Sequence, residues 1–158
     1  MTDQEAYNLC TKDNIWYNKL FVASILNYNA GYKEIPASGK YIIKPIINLL
    51  GCGIGASIGY YEEGDIVPDG YFYSEVFTGR HITIDYTKIN GKWKQGSTFE
   101  GFKSDINNLQ QFSMWERVDY CYELPDVFNN IITDKLNIEL IGDKIIEVHL
   151  RHNTDPIS

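Results

Sequence analysis

Cysteine, basic charge and long apolar runs are all scarce in this chain, and each scarcity excludes something. Cys10, Cys52 and Cys121 are scattered and show no metal-like spacing. An odd number of such cysteines reads as reduced thiols, neither a disulfide framework nor a zinc site, and the expected compartment is the cytoplasm. Lys and Arg number 14 against 21 Asp and Glu, a formal net charge of -7, which argues against a nucleic-acid partner. No apolar run approaches a membrane span, and Met1-Thr-Asp-Gln-Glu-Ala6 begins acidic, unlike a secretory leader. Internal repeats and low-complexity segments are absent too, as are the Walker A sequence and the G-x-S-x-G signature of acyl-enzymes.

What remains is a globular chain. Its 158 residues suit one compact domain, and a hydrophobic content of 44% with Tyr 12 and Phe 7 points to a β-rich core of large side chains. Asp13 is placed to cap a helix from about Asn14 to Asn27, with Ile15, Leu20, Val22, Ile25 and Leu26 as its apolar stripe. Gly31, Pro36 and Gly39 punctuate a connector. Tyr41-Ile-Ile43 reads as a short strand ending at Lys44-Pro45, because the residue before a proline prefers extended geometry. Tyr71 to Val76 and His81 to Ile89 read as strands, and Asn90-Gly91 is a hairpin signal leading into Lys92 to Phe99. Ser104 to Glu116 is expected to be helical through Ile106, Leu109, Phe112 and Met114 or Trp115, and Asp126 to Thr133 forms a second short helix. The expected class is α+β, an antiparallel-rich sheet with a few helices.

The last strand pair carries the strongest pattern. From Leu136 to Arg151, apolar and polar residues alternate about a Gly142-Asp143 turn. Leu136, Ile138 and Leu140, with Ile146, Val148 and Leu150, make an apolar face. Glu139 lies on the opposite face of the first strand, and Glu147, His149 and Arg151 on that of the second. A turn with an odd number of residues, such as Gly142 to Lys144, puts Glu139 directly across from Glu147, where two carboxylates repel. A divalent cation between them turns repulsion into ligation, since Mg²⁺ favours carboxylate oxygens. An ordinary solvated outer face is the competing reading.

Lys44 precedes Gly51-Cys-Gly-Ile-Gly55, a loop too rich in glycine for regular structure. Such loops let backbone amides approach phosphate oxygens, and a lysine adds a point charge; a plain turn and a solvated edge lysine are the alternatives. Glu75 closes a strand and has the chemistry to accept from a ribose hydroxyl, or to be a turn charge. His81, His149 and His152 read as hydrogen-bonded or exposed.

Taken in order, these segments resemble the ATP-grasp superfamily. Lys44-Pro45 with Gly51, Gly53 and Gly55 is similar to its strand lysine and phosphate loop. Glu75-Val-Phe-Thr-Gly-Arg-His-Ile-Thr-Ile-Asp85 is similar to its adenine-hinge segment, and Asn137-Ile-Glu139 with Glu147-Val-His-Leu-Arg151 to its metal-binding hairpin. The resemblance spans roughly residues 40 to 155, behind an N-terminal helix and connector over 1–39 that stands where the family has a substrate domain. It implies an ATP-dependent ligase that activates a small-molecule carboxylate as an acyl phosphate for attack by an amine-type nucleophile. In that scheme Lys44 and the loop glycines hold ATP phosphates, Glu75 the nucleoside, Glu139, Glu147 and His149 the Mg²⁺, and Arg151 the transferring group. His149 stands where the family has an asparagine, and histidine suits Mg²⁺ less well than an oxygen donor. The alternative is a non-catalytic, degenerate module that binds a nucleotide or a partner protein, or assembles as a homo-oligomer.

Overall fold

Thr2 starts the first helix. Its Oγ1 accepts from the Glu5 amide at 3.2 Å while Glu5 Oε1 accepts from the Thr2 amide, a capping box that opens α1 (Asp3–Leu9). This helix lies outside the sequence-based expectation. The expected Asn14–Asn27 helix is divided into a 3₁₀ turn (Asn14–Tyr17) and α2 (Lys19–Ile25), because Asn18 is extended between them and caps α2 by accepting from the Phe21 amide at 2.8 Å. Asp13 caps nothing. Its carboxylate instead accepts from the Ile132 and Thr133 amides and the Thr133 hydroxyl, pinning the N-terminal segment to a distant loop.

The computed structural model describes residues 1–50, 54–103, 112 and 114–153. Two antiparallel sheets carry the fold, bearing out the α+β expectation. The first orders β1 (Ala30–Gly31), β4 (Tyr71–Ser74), β2 (Gly39–Pro45) and β3 (Ser57–Tyr61), with Ile35, Tyr41, Ile43, Val67 and Tyr73 as a small core on one face. The second orders β7 (Met114–Arg117), β6 (Lys92–Phe102), β5 (His81–Ile89), β8 (Lys135–Ile141) and β9 (Lys144–His149). Its inner face, built from Ile82, Ile84, Leu136, Ile138 and Leu140, packs against Trp16, Val22 and Phe128 in the main core.

β5 has the expected bounds, β6 runs on past Phe99, and β4 stops before Val76. Of the helix expected over Ser104–Glu116, residues 104–111 and 113 lie outside the described residues, and the Met114–Glu116 end is corrected to strand. It pairs with β6 with Trp115 opposite Gly101, so a spacing that suits a helix is overridden by non-local pairing. The second expected helix shrinks to a 3₁₀ turn, Asp126–Asn130.

The final hairpin departs from its pattern in one useful way. Ile141 pairs with Lys144, so the turn is the two-residue Gly142–Asp143, with Gly142 at φ 64. A bulge between Glu139 and Leu140 absorbs the remaining residue. Ile145, not Ile146, therefore faces Leu140 and the core, while Glu139 still sits opposite Glu147. Among the described residues no helix is long and apolar enough to cross a membrane.

Candidate functional site

The charged face of the hairpin is largely covered. β9 is an edge strand, and the N-terminal helices close over its end. Asp3 on α1 and Lys19 on α2 reach Glu147 and His149, whose side chains are 12% and 8% exposed. The freely solvated outer face that competed with the metal reading is therefore not what the fold supplies; the acidic pair is covered and paired with nitrogen donors.

Glu139, Glu147 and His149 come together, their ligand atoms within 4.8 Å of one another. Each carboxylate oxygen already has a nitrogen partner. Glu139 Oε1 meets His81 Nε2 at 3.0 Å and Oε2 meets His149 Nε2 at 2.9 Å. Glu147 Oε1 pairs with Lys19 Nζ at 2.5 Å, and Oε2 lies 3.2 Å from His149 Nε2. The other nitrogen of His149, Nδ1, faces Asp3 at 3.0 Å. With a carboxylate against each ring nitrogen, both must donate, which requires the imidazolium. Burial opposes that charge, but the hydrogen bonds to Asp3, Glu139 and Glu147 hold His149 well above the ordinary histidine value. Burial likewise works against ionised Glu147, yet Lys19 and its other partners keep its carboxyl well below the usual range.

Asp3 orders the outer layer. It accepts from Tyr17 Oη at 2.8 Å and from Arg151 Nη2 at 3.0 Å, and Tyr17 Oη in turn accepts from the Leu150 amide. Burial raises the Asp3 carboxyl, but His149 and Arg151 outweigh it and the net shift is downward. Arg151 is thus committed to Asp3, although its buried Nε has no partner among the described residues.

Lys44 lies at the end of β2, between the sheets. Its ammonium stands 5.5 Å from the centre of the Phe72 ring, and no carboxylate of the described residues pairs with it. Burial and the neighbouring Lys19 lower it to about 8, against the pull of Glu147 and Glu139. Lys44 and Lys19 line a cavity with Tyr28, Phe72, Ser74 and Phe77, about 10 Å³ in volume, the space of roughly one water. Lys19 is fixed there by its backbone, which donates to the Ile46 carbonyl just beyond Lys44. Gly55 supports the same corner. At φ +83 it packs on Pro45, where an added Cβ would come within 3.0 Å.

The other expected residues stand apart. Gly51 and Gly53 lie outside the described residues. Glu75 accepts from the Asn29 amide at 3.0 Å at the end of β4 and does not join the acidic pair. Asp3, Lys19 and His81 complete the site without being foreseen. The Thr2-x-x-Glu5 capping box could have announced the helix bearing Asp3, whereas Lys19 has no local signal.

The Mg²⁺ implied by the resemblance does not fit this donor set. Mg²⁺ demands near-octahedral oxygen ligands. Here every oxygen of both glutamates already faces a nitrogen donor, and His149, donating from both ring nitrogens, has no lone pair to give.

No protein-family profile and no curated protein matches the sequence. Solved structures do. A protein from Archaeoglobus fulgidus described as of the ATP-grasp superfamily aligns with a TM-score of 0.56 and 18% identity, over 89% of this chain and 47% of its own. D-alanyl-alanine synthetase A from Vibrio cholerae O1 biovar eltor str. N16961 aligns with a TM-score of 0.52 and 13% identity, over 92% of this chain and 58% of its own. The chain spans about half the length of these structures.

Proposed function

On the premise of this ATP-grasp-like fold, we propose that the chain is a non-catalytic module that binds a nucleotide between its two sheets. The observation that carries this reading is Lys44, a half-buried lysine whose ammonium has no carboxylate partner among the described residues, in a cleft between sheets. Partial desolvation of such a charge opposes folding, and an anionic ligand is what relieves it. Ile42 shares the face of Lys44, since it pairs with Ser74 while Lys44 pairs with Phe72, and it offers apolar support for a base. Because the cavity holds about one water, a nucleotide enters only as the sheets part.

The ligase reading shares the fold of its structural neighbours but needs a phosphate-bound divalent cation to neutralise developing charge. Carboxylates already paired with protein cations favour binding over turnover.

Calorimetric titration with ATP and adenosine tests this. Lys44→Met keeps the aliphatic stem and removes the charge. Since hydrogen bonds to charged groups contribute about 1.5–3 kcal/mol, ATP affinity falls roughly tenfold to hundredfold while adenosine is little affected. Equal ATP binding by both proteins sinks the phosphate role of Lys44. ATP turnover by the wild type sinks the non-catalytic assignment.

A further inference from the structure

We infer that Lys19 and His149 do for the acidic pair what a divalent cation does elsewhere, so that Glu139 and Glu147 form a metal-free cluster and an anionic ligand in the cleft meets protein cations alone. The part concerning the ligand rests on the nucleotide reading above; the part concerning the metal stands without it.

Directly opposed carboxylates in a sheet must be neutralised, whatever the agent. Lys19 Nζ lies 2.5 Å from Glu147, the position a bound cation would need, and a lysine ammonium has three donors and no lone pair. It cannot join a coordination shell; it can only exclude one. The ammonium is held from behind, because Asn18 caps α2 and the Lys19 amide is bonded to Ile46. His149 bridges the glutamates through Nε2 and is turned for that purpose by Asp3 on Nδ1. Tyr17 and Arg151 fix Asp3 in turn, so the imidazole has no freedom to present a lone pair.

Charge leads to the same conclusion. Asp3, Glu139 and Glu147 are balanced by Lys19, His149 and Arg151 in one connected network. A divalent ion would add two positive charges to a cluster that is already neutral and has the Lys44 ammonium beside it. The same surroundings receive an anion readily, since Lys44 then gains the partner it lacks. Hence this site takes its phosphate-bearing ligand without the metal that usually accompanies one.

Two measurements on the full chain decide the matter. Mn²⁺ is titrated under electron paramagnetic resonance, which separates free from bound ion, and ATP is titrated calorimetrically in EDTA and in excess Mg²⁺. The expected result is a free-ion Mn²⁺ spectrum and undiminished ATP affinity in EDTA. Bound Mn²⁺ in the wild type that disappears in Glu147→Gln overturns the inference. ATP binding that needs Mg²⁺ overturns the ligand half alone. If ATP binds under neither condition, the nucleotide reading fails, and the Mn²⁺ titration still decides the metal. The double variant Lys19→Met/His149→Asn frees Glu147 Oε1 and supplies an amide oxygen, so it gains Mn²⁺ binding. A double variant that folds and still ignores Mn²⁺ overturns Lys19 and His149 as the excluding cations. Should it fail to fold, the wild-type titrations carry the decision.

Discussion

On one face of the second sheet, Ile82, Ile84, Ile138 and Leu140 are fully buried; on the other, Thr83, Asn137 and His149 are 4%, 3% and 6% exposed. The first face is dry, the second is largely covered although His81 and Glu139 keep some exposure, and the two are held by opposite means. The apolar face needs only shape and volume, because hydrophobic burial is non-directional. The polar face needs every group answered. Asn137 donates to Thr83 Oγ1 at 2.8 Å and Asp85 Oδ1 at 2.9 Å, and the acidic pair is answered by Lys19, His81 and His149. A buried charge network is seldom the most stable way to fill a core. Its presence here, beside a Lys44 with no carboxylate partner among the described residues, is what the proposed binding role rests on.

Protonating the acidic groups breaks the comparison most severely. Asp3 and Glu147 have lowered folded-state pKa values, so their stabilisation is present above the ordinary carboxylate values of 3.8 and 4.5 and is lost as pH falls through the lowered ones. His149, raised above 6.5, contributes the opposite arm: its stabilisation is complete below that value and lost as pH rises through the raised one. Thermal melts across pH should show a midpoint that declines on both sides, and most steeply in acid. A flat profile would mean that the polar face contributes no more than a solvated surface.

Next in size is Glu147→Gln. The sequence pattern alone expects this isosteric swap to spare the fold. With Lys19 and His149 packed on the carboxylate, it leaves buried cations uncompensated, at a cost of about 3–5 kcal/mol in chemical denaturation. A loss below about 1 kcal/mol would be that of an exposed pair and would remove Glu147 from the network.

Lys44→Met works in the other direction. The downward shift from 10.5 to about 8 means that the charged lysine opposes folding at neutral pH, and removing it should stabilise the ligand-free chain by at most about 3 kcal/mol. Together with weakened ATP binding, a higher unfolding midpoint would display a site maintained against stability. A destabilised variant would show Lys44 to be a structural residue.

The apolar face supplies the smallest effect. Ile138→Val removes one methylene at the centre of the main core and should cost about 0.5–1.5 kcal/mol, without altering pH dependence or ATP binding. A change in either would mean that the faces are coupled through the sheet.

Local pattern determined a good deal. Period-two alternation set β5 and β8, and the Gly142-Asp143 signal set the turn, because strand faces and tight turns follow from residues adjacent in sequence. That Glu139 opposes Glu147 was also legible, although a bulge and not a longer turn produces it. The cations that answer those glutamates were not. His149 meets Asp3 across 146 positions, His81 meets Glu139 across 58, and Lys19 reaches Glu147 from another helix. Only packing α1 and α2 over an edge strand joins these groups, and that arrangement is fixed by the buried Trp16, Val22 and Phe128 against the second sheet. The sequence alone therefore determined where the carboxylates lie; the tertiary structure decided what neutralises them, because a charge meets its partner through space and periodicity sees only its neighbours in the chain.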